Sequence, residues 1–415
     1  MNKAKTSKSP VVGVVCELNP LHNGHVYLLS EAKRLAGDEG LVVCVMSGKS
    51  TQRGECAIAS PFVRGRMALC GGADLVVELP FPWSSGSAEA FADAGVHILA
   101  ALGADHLIFG SECGDMTLLS KGAELMGAVD FSETYAALCR QGKGTAAAYT
   151  ETIRRLADTR GWKLPEGFPS SNDLLGLAYL SAIRRLSVSM CAHTVKRLGQ
   201  DFRDELLTDV SYPSATALRR LIHEAADDPV CLAAVLKDTM PDEALEILLQ
   251  EIAENTAPTD DTPLWAYYHT YFRLYHPATA EVTAEVGGGL ASHLHKCALA
   301  ADTPAAFMKE AETKQYTRAR LRRSLLFAVT GVTDTDLHIM PAYTRLLAAN
   351  ERGRTYLKAR RKCEDPTFSV VTKPADAPEG RQRFLDEQMD RLFTLCLPTP
   401  KEAGWLVRQG AYIKP

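Results

Sequence analysis

Apolar residues form four short, nearly unbroken runs in the first third of the chain: VVGVVCEL (Val11 to Leu18), LVVCVM (Leu41 to Met46), DLVVELP (Asp74 to Pro80) and HLIFGSE (His106 to Glu112). Strands with one wet face alternate apolar and polar residues, so runs this continuous predict parallel strands covered on both faces. Between them, HVYLLSEAKRLA, PFVRGRMALCGGA and SAEAFADAGVHILAALGA carry apolar residues at helical spacing, the last two ending at glycine. Strand, helix, strand in repetition predicts a doubly wound, Rossmann-like parallel sheet. Ligands of such sheets bind beyond the carboxyl ends of the strands. The segments there, NPLHNGH, SGKSTQRGE, ELPFPWSSGSAE and FGSECGD, are polar and glycine-containing.

Beyond Leu118 the pattern turns mainly helical, with one further strand predicted at CAHTVKRL (Cys191 to Leu198). YPSATALRRLIHEA starts a helix that Ser214 or Thr216 can cap, and helices alone follow to about Val332. The tail, IMPAYTRLLAANERGRTYLKARRK and then TFSVVTKP, reads as a small strand, helix, strand unit. The expected division is an α/β domain over residues 1–212 and a mainly α-helical domain over 213–415.

A chain of 415 residues is too long for one typical core, and 46% hydrophobic with 23% charged residues is an ordinary globular balance. The net charge of -4 argues against whole-molecule attraction to nucleic acid, although local basic faces can sit within a balanced total. The 11 cysteines are scattered without a CxxC pair, which predicts free thiols in a reducing compartment. With no signal-peptide core and no apolar stretch of membrane-spanning length, a cytoplasmic protein is expected.

His22 and His25 flank Asn23 and Gly24 where the first strand hands over to the first helix. Unpaired N–H groups and the positive end of the helix dipole favour an anion there, and glycine lets a phosphate approach the backbone. Two imidazoles three residues apart share a face of the first turn and can both donate to that anion, stabilising charge on a phosphoryl group during its transfer. The competing readings are a simple cap or a zinc pair, but zinc would need HxxxH spacing and further ligands.

The turn resembles that of the nucleotidyltransferase (HUP) superfamily, and GVVCELNPLHNGHVYLL resembles the opening motif of the tRNA(Met) cytidine acetate ligase family. Further blocks match that family in order: MSGKSTQRGECAI, RGRMALCGGADLVVELP, FGSECGD, SNDLLGLAYL, TVKRLG, SATALR, QYTRARLRRSLL and YTRLLAANERGRTYLK. The resemblance implies an ATP-dependent ligase that makes acetyl-adenylate from acetate and acetylates N4 of the wobble cytidine of elongator tRNA(Met). It implies an ATP site made of Val15, Cys16, Glu17, Asn19, Pro20, Leu21, His22, Asn23, Gly24, His25, Gly110, Asn172, Arg197 and Leu198, with His22 and His25 catalytic and Mg²⁺ accompanying ATP. Leu18, Leu21, Leu28 and Ser171 depart from the family pattern.

Acetate is already ionised at neutral pH, so its attack on phosphorus needs no general base; the site must bring two anions together and neutralise charge. Gln52 and Arg53 can shape the acetate or phosphate pocket. Lys49 reads as a surface lysine or a partner of the leaving phosphates, and Glu78 as an active-site organiser or an ion-pair partner of Arg64 or Arg66. Glu112 and Asp115 are candidate metal contacts, but no metal site is assigned. On a helix Lys314, Arg318 and Arg322 would form one basic face, and Arg354, Lys358 and Lys362 another with Tyr356 nearby for stacking; either is a solvated surface or an RNA contact. HLH at His293 to His295 reads as surface or core, and WAYYHTYF as packing between helices. A small-molecule adenylyltransferase would need the same HxGH turn without a basic helical domain, and an RNA-binding module would need no intact site.

Overall fold

The computed structural model describes residues 9–199, 211–361 and 368–414. The four apolar runs are strands: β1 (Val11–Cys16), β2 (Leu41–Ser47), β3 (Leu75–Leu79) and β4 (His106–Ser111), joined by β5 (Cys191–Lys196). They are parallel, in the order β5-β4-β1-β2-β3. Every residue of β1, β2 and β3 is buried, as their unbroken hydrophobicity requires. Alternate residues serve opposite cores: Val12, Val14 and Cys16 face one side, Val11 and Val15 the other.

Helices α1 (Asn23–Ala36) and α2 (Pro61–Cys70) cover the first face, and α3 (Ala88–Ala101) crosses the second. Ser60 and Ser87 cap α2 and α3 by accepting from Val63 N and Ala90 N, 3.3 Å in each case. Gly13 lets α3 lie close on β1, because a Cβ there would be 2.5 Å from Leu99 Cδ2. Next come α4 (Met116–Met126), α5 (Phe131–Arg140), α6 (Thr145–Thr159) and α7 (Ser171–Arg185), the last packed against α3 and β4.

From α8 (Ala215–Ala225), capped by Ser214 through Ala217 N at 2.9 Å, to residue 338 the regular elements are helices only. The chain then returns to the sheet. Strand β6 (Tyr343–Ala349) pairs antiparallel with β3, and β7 (Ser369–Val371) and β8 (Tyr412–Ile413) pair parallel with β6. The expected strand, helix, strand unit therefore extends the N-terminal sheet across the proposed boundary at residue 212. Leu321, Leu325, Leu385 and Phe393 of the later helices share a core with α1 and α2. No helix among the described residues is long and apolar enough to cross a membrane.

Candidate active site

Strand order reverses between β1 and β4, and the crevice at such a point lies beyond the strands' carboxyl ends. A cleft of ≈ 1750 Å³ opens there. Its walls include Val15, Cys16, Glu17, Asn19, His22, Gly24, His25, Gln52, Arg53, Gly110, Asn172, Arg197, Leu198, Lys314 and Arg318. The fold thus brings the loops at the strand ends together with residues from the helical half of the chain.

His22 is the N-cap of α1, and its Nδ1 accepts from Gly24 N at 3.0 Å. That bond places the proton of a neutral ring on Nε2, which is free to donate to a ligand. His25 lies alongside, with ring centroids 3.8 Å apart. Burial, then His25 and Arg197, holds His22 well below the usual imidazole range; burial and Arg197 lower His25 to about 3. Both rings are neutral, so they pack against each other, planes inclined by 37°, without repulsion, and each offers a single N–H.

The loop after β1 is clamped from several sides. Asn19 Oδ1 accepts from Ile58 N at 2.7 Å, and Arg219 Nη1 donates to Asn19 O at 2.9 Å. Buried Arg64 donates to Glu17 O at 2.6 Å, to Ser47 O at 2.9 Å and to Gly48 O, tying the ends of β1 and β2 together. Glu17 Oε1 accepts from Gln52 N at 2.7 Å. In the sequence Arg64 reads only as a candidate partner of Glu78, and Arg219 does not stand out at all, since each acts on backbone carbonyls and an arginine in a helical run carries no signature of that.

Glu112 follows β4 and sits at the start of α7. Its Oε2 accepts from Ser170 Oγ at 2.7 Å and from Asn172 N and Asp173 N at 3.1 Å each, and its Oε1 accepts from Asn172 Nδ2 at 2.5 Å. Arg197 Nε lies 3.9 Å from the same Oε1. Glu112 therefore organises Asn172 and Arg197, and Asp115 caps α4 at Thr117 N (2.8 Å). Gly110 gives Arg197 room, because a Cβ at 110 would stand 3.3 Å from Arg197 Cγ.

Other expectations change. Pro20, Leu21 and Asn23 do not line the cleft: Leu21 is wholly buried in the core, and Asn23 holds Asp238 O through Nδ2 at 2.8 Å and Thr239 O through its N–H at 2.9 Å. Lys49 is 1% exposed rather than superficial, with Nζ 2.8 Å from Glu78, 3.0 Å from Asp386 and 3.1 Å from Asp390. Glu78 pairs with it, not with Arg64 or Arg66. The helix that was to carry Lys314, Arg318 and Arg322 on one face begins at Arg318, and Arg322 is ion-paired with Glu55. Arg354 and Lys358 are exposed on the helix Glu351–Arg360, but that helix sits at the amino ends of the strands: Arg352 donates to Gly40 O at 2.5 Å and Asn350 N to Asp74 O at 3.0 Å. Tyr356 donates to Leu102 O at 2.5 Å and is half-buried; Lys362 lies outside the described residues. His293 and His295 bond the carbonyls of Ala311 (3.0 Å) and Phe272 (2.7 Å), and Tyr268 and Phe272 of WAYYHTYF are buried, so these remain packing groups.

A family model described as HIGH Nucleotidyl Transferase matches residues 9–404. The tRNA(Met) cytidine acetate ligase of Acetivibrio thermocellus is 32% identical over 97% of this chain and 99% of its own, and that of Thermotoga maritima 30% over 90% and 91%. The crystal structure of Thermotoga maritima TmcAL in its apo form superposes with a TM-score of 0.88 at 28% identity, covering 98% of this chain and all of that one. The form bound with alpha-thio ATP superposes at 0.85, with 27% identity and 98% of this chain covered.

Proposed function

Since the chain belongs to the HIGH nucleotidyl transferase family and, within it, to the tRNA(Met) cytidine acetate ligases, we propose that it joins acetate to ATP as acetyl-adenylate and then acetylates N4 of the wobble cytidine of elongator tRNA(Met). The observation that carries this reading is the neutral, closely packed imidazole pair at the start of α1, in a cleft that Lys314 and Arg318 also line.

In the first step an acetate oxygen bonds to the α-phosphorus as the bond to pyrophosphate breaks. Nε2–H of His22, a donor from His25 and the start of α1 meet the phosphate oxygens, and Arg197, aligned by Glu112, adds the positive charge that two approaching anions need. In the second step the cytidine N4 amine attacks the acetyl carbon, the bond from that carbon to the phosphate oxygen breaks so that AMP leaves, and N4 gives up a proton to solvent. The two glycines, Gly24 and Gly110, keep the floor open. Glu112 and Asp115 hold the starts of α7 and α4, and an Mg²⁺ ion bound with ATP would neutralise phosphate charge. Residues 1–212 are proposed as the ATP half and those from 213 as the tRNA half, stitched by β6.

The test is incubation of the purified chain with ATP, labelled acetate and tRNA, followed by digestion to nucleosides. Labelled N4-acetylcytidine is expected, together with acetate-dependent exchange between ATP and pyrophosphate. Exchange without labelled nucleoside would refute the tRNA acceptor and leave a small-molecule adenylyltransferase; absence of exchange would refute adenylation altogether.

A further inference from the structure

Away from the cleft floor, three distant parts of the chain converge on two thiols and a carboxylate. Cys56 Sγ lies 3.4 Å from Cys396 Sγ, and Asp261 Oδ1 accepts from Cys56 N at 3.0 Å. One ligand atom from each residue falls within 4.8 Å of the others. Cys56 follows the SGKSTQRGE loop, Asp261 precedes the helix Thr262–Leu274, and Cys396 ends the helix Arg381–Leu395.

We propose that Cys56, Asp261 and Cys396 form a structural site for a thiophilic divalent cation, with Zn²⁺ the best match to the donor set. Two thiolates and one carboxylate are borderline-soft ligands, and tetrahedral Zn²⁺ with Zn–S bonds of about 2.3 Å holds its sulfurs roughly 3.8 Å apart. The separation here is a little shorter than that and far outside a disulfide bond.

Two further observations point the same way. Asp261 occupies an N-cap position, yet its side chain accepts nothing from its own helix; Asp260 takes the Thr262 N–H at 3.0 Å instead, leaving Asp261 aimed at the thiols. Tyr268 stands seven residues on, two turns along the same helix face. Its hydroxyl is buried and has no hydrogen-bond partner among the described residues, and Asp261, Cys56 and Cys396 are among the groups whose charges act on it. We take that unpartnered hydroxyl as the candidate fourth ligand, or as the group that would hold a water in that position.

The backbone around the site is already fixed. Thr259 N donates to Ile58 O at 3.1 Å, Thr259 Oγ1 to Ala57 O at 3.0 Å, and Asp260 N to Cys396 O at 2.7 Å. Binding releases two thiol protons and leaves two thiolates and a carboxylate against a 2+ ion, a net single negative charge that Arg219, one of the charges felt by Asp261, offsets. Because Ile58 N holds Asn19 of the HxGH loop, the cation would brace that loop against the helical half.

The experiment uses the full chain, purified with a reductant, offered ZnCl₂ or CoCl₂ and desalted. About one metal per chain is expected, and Co²⁺ should give a thiolate charge-transfer band with the intense visible bands of tetrahedral coordination. Cys56→Ser and Cys396→Ser should each abolish those bands while their circular dichroism stays that of the parent. Chelation of the unmutated protein should lower its melting temperature by several degrees, a readout that depends on no substitution. Failure to retain metal, Co²⁺ bands that survive both serine variants, or a Cys56–Cys396 disulfide as the sole product overturns the proposal; so does a melting temperature indifferent to chelation.

Discussion

A Cβ at position 24 would stand 2.9 Å from Cε1 of His22, so the glycine is what lets that ring fold back and take the Gly24 N–H. The bond fixes the tautomer, and the tautomer aims Nε2–H outward. Under the proposed function, replacing either histidine by alanine would remove one donor to the phosphoryl group. Loss of about 10²–10³ in acetate-dependent ATP–pyrophosphate exchange is expected for His22→Ala and for His25→Ala, with tRNA retention on a filter nearly unchanged. Equal turnover in both variants would remove the pair from the chemistry. The same burial has a second consequence for stability. An unfolded His25 titrates near 6.5, whereas the folded ring does so at about 3, so between those values the unfolded chain binds a proton that the folded chain does not. Stability must therefore fall as pH drops from about 6.5 toward 3. Urea unfolding at a series of pH values should show a shallower acid loss in His25→Asn than in the parent. The histidines were legible because their spacing is local. Glu112 was not: its role appears only when α7, 60 residues later, delivers its N–H groups.

Elements are held to one another by a buried charge cluster that no single segment reveals. Lys49 from the loop after β2, Glu78 from β3, Arg345 from β6, and Asp386 and Asp390 from the helix Arg381–Leu395 meet with almost no exposure. Tyr343 Oη donates to Asp386 Oδ2 at 2.9 Å within it. Burial pushes the Glu78 carboxyl up against the pull of Lys49, and Lys49 itself is raised by its three carboxylates despite its burial. Lys49→Met would leave those carboxylates facing Arg345 alone. A loss of about 3–5 kcal/mol in urea unfolding is expected, with Gln52 and Arg53 displaced because they follow Lys49 in the same loop; a loss under about 1 kcal/mol would show that the cluster tolerates an uncompensated charge. Strands β1 to β4 could be read from the sequence because continuous apolar runs have one common cause, whereas the two-residue β8 carries no such run and could not be. Lys49 could not, because a lysine in a polar glycine-containing loop looks like surface until the last long helix supplies its partners. β6 could be read as a strand, but not its neighbour: antiparallel pairing with β3 depends on where the whole intervening stretch, most of it helical, returns the chain.

Across the whole molecule, position relative to the sheet decides which basic residues can reach a nucleic acid held at the cleft. Lys314 and Arg318 belong to the cleft wall at the carboxyl ends of the strands. Arg354 and Lys358 lie on a helix bonded to residues that precede β2 and β3, at the opposite edge. In sequence the two groups have the same spacing and the same charge, so only topology separates them. A tRNA whose anticodon base enters the cleft releases counterions from phosphates near the first group and none near the second. Lys314→Ala with Arg318→Ala should weaken tRNA binding and flatten the dependence of log K on log salt by about 0.7–0.9 for each phosphate that is no longer neutralised. Arg354→Ala with Lys358→Ala should leave affinity and slope where they were. Should the second pair prove the sensitive one, the tRNA would have to wrap past the sheet edge from the amino-terminal side, and the cleft would receive its base from the side away from Lys314 and Arg318.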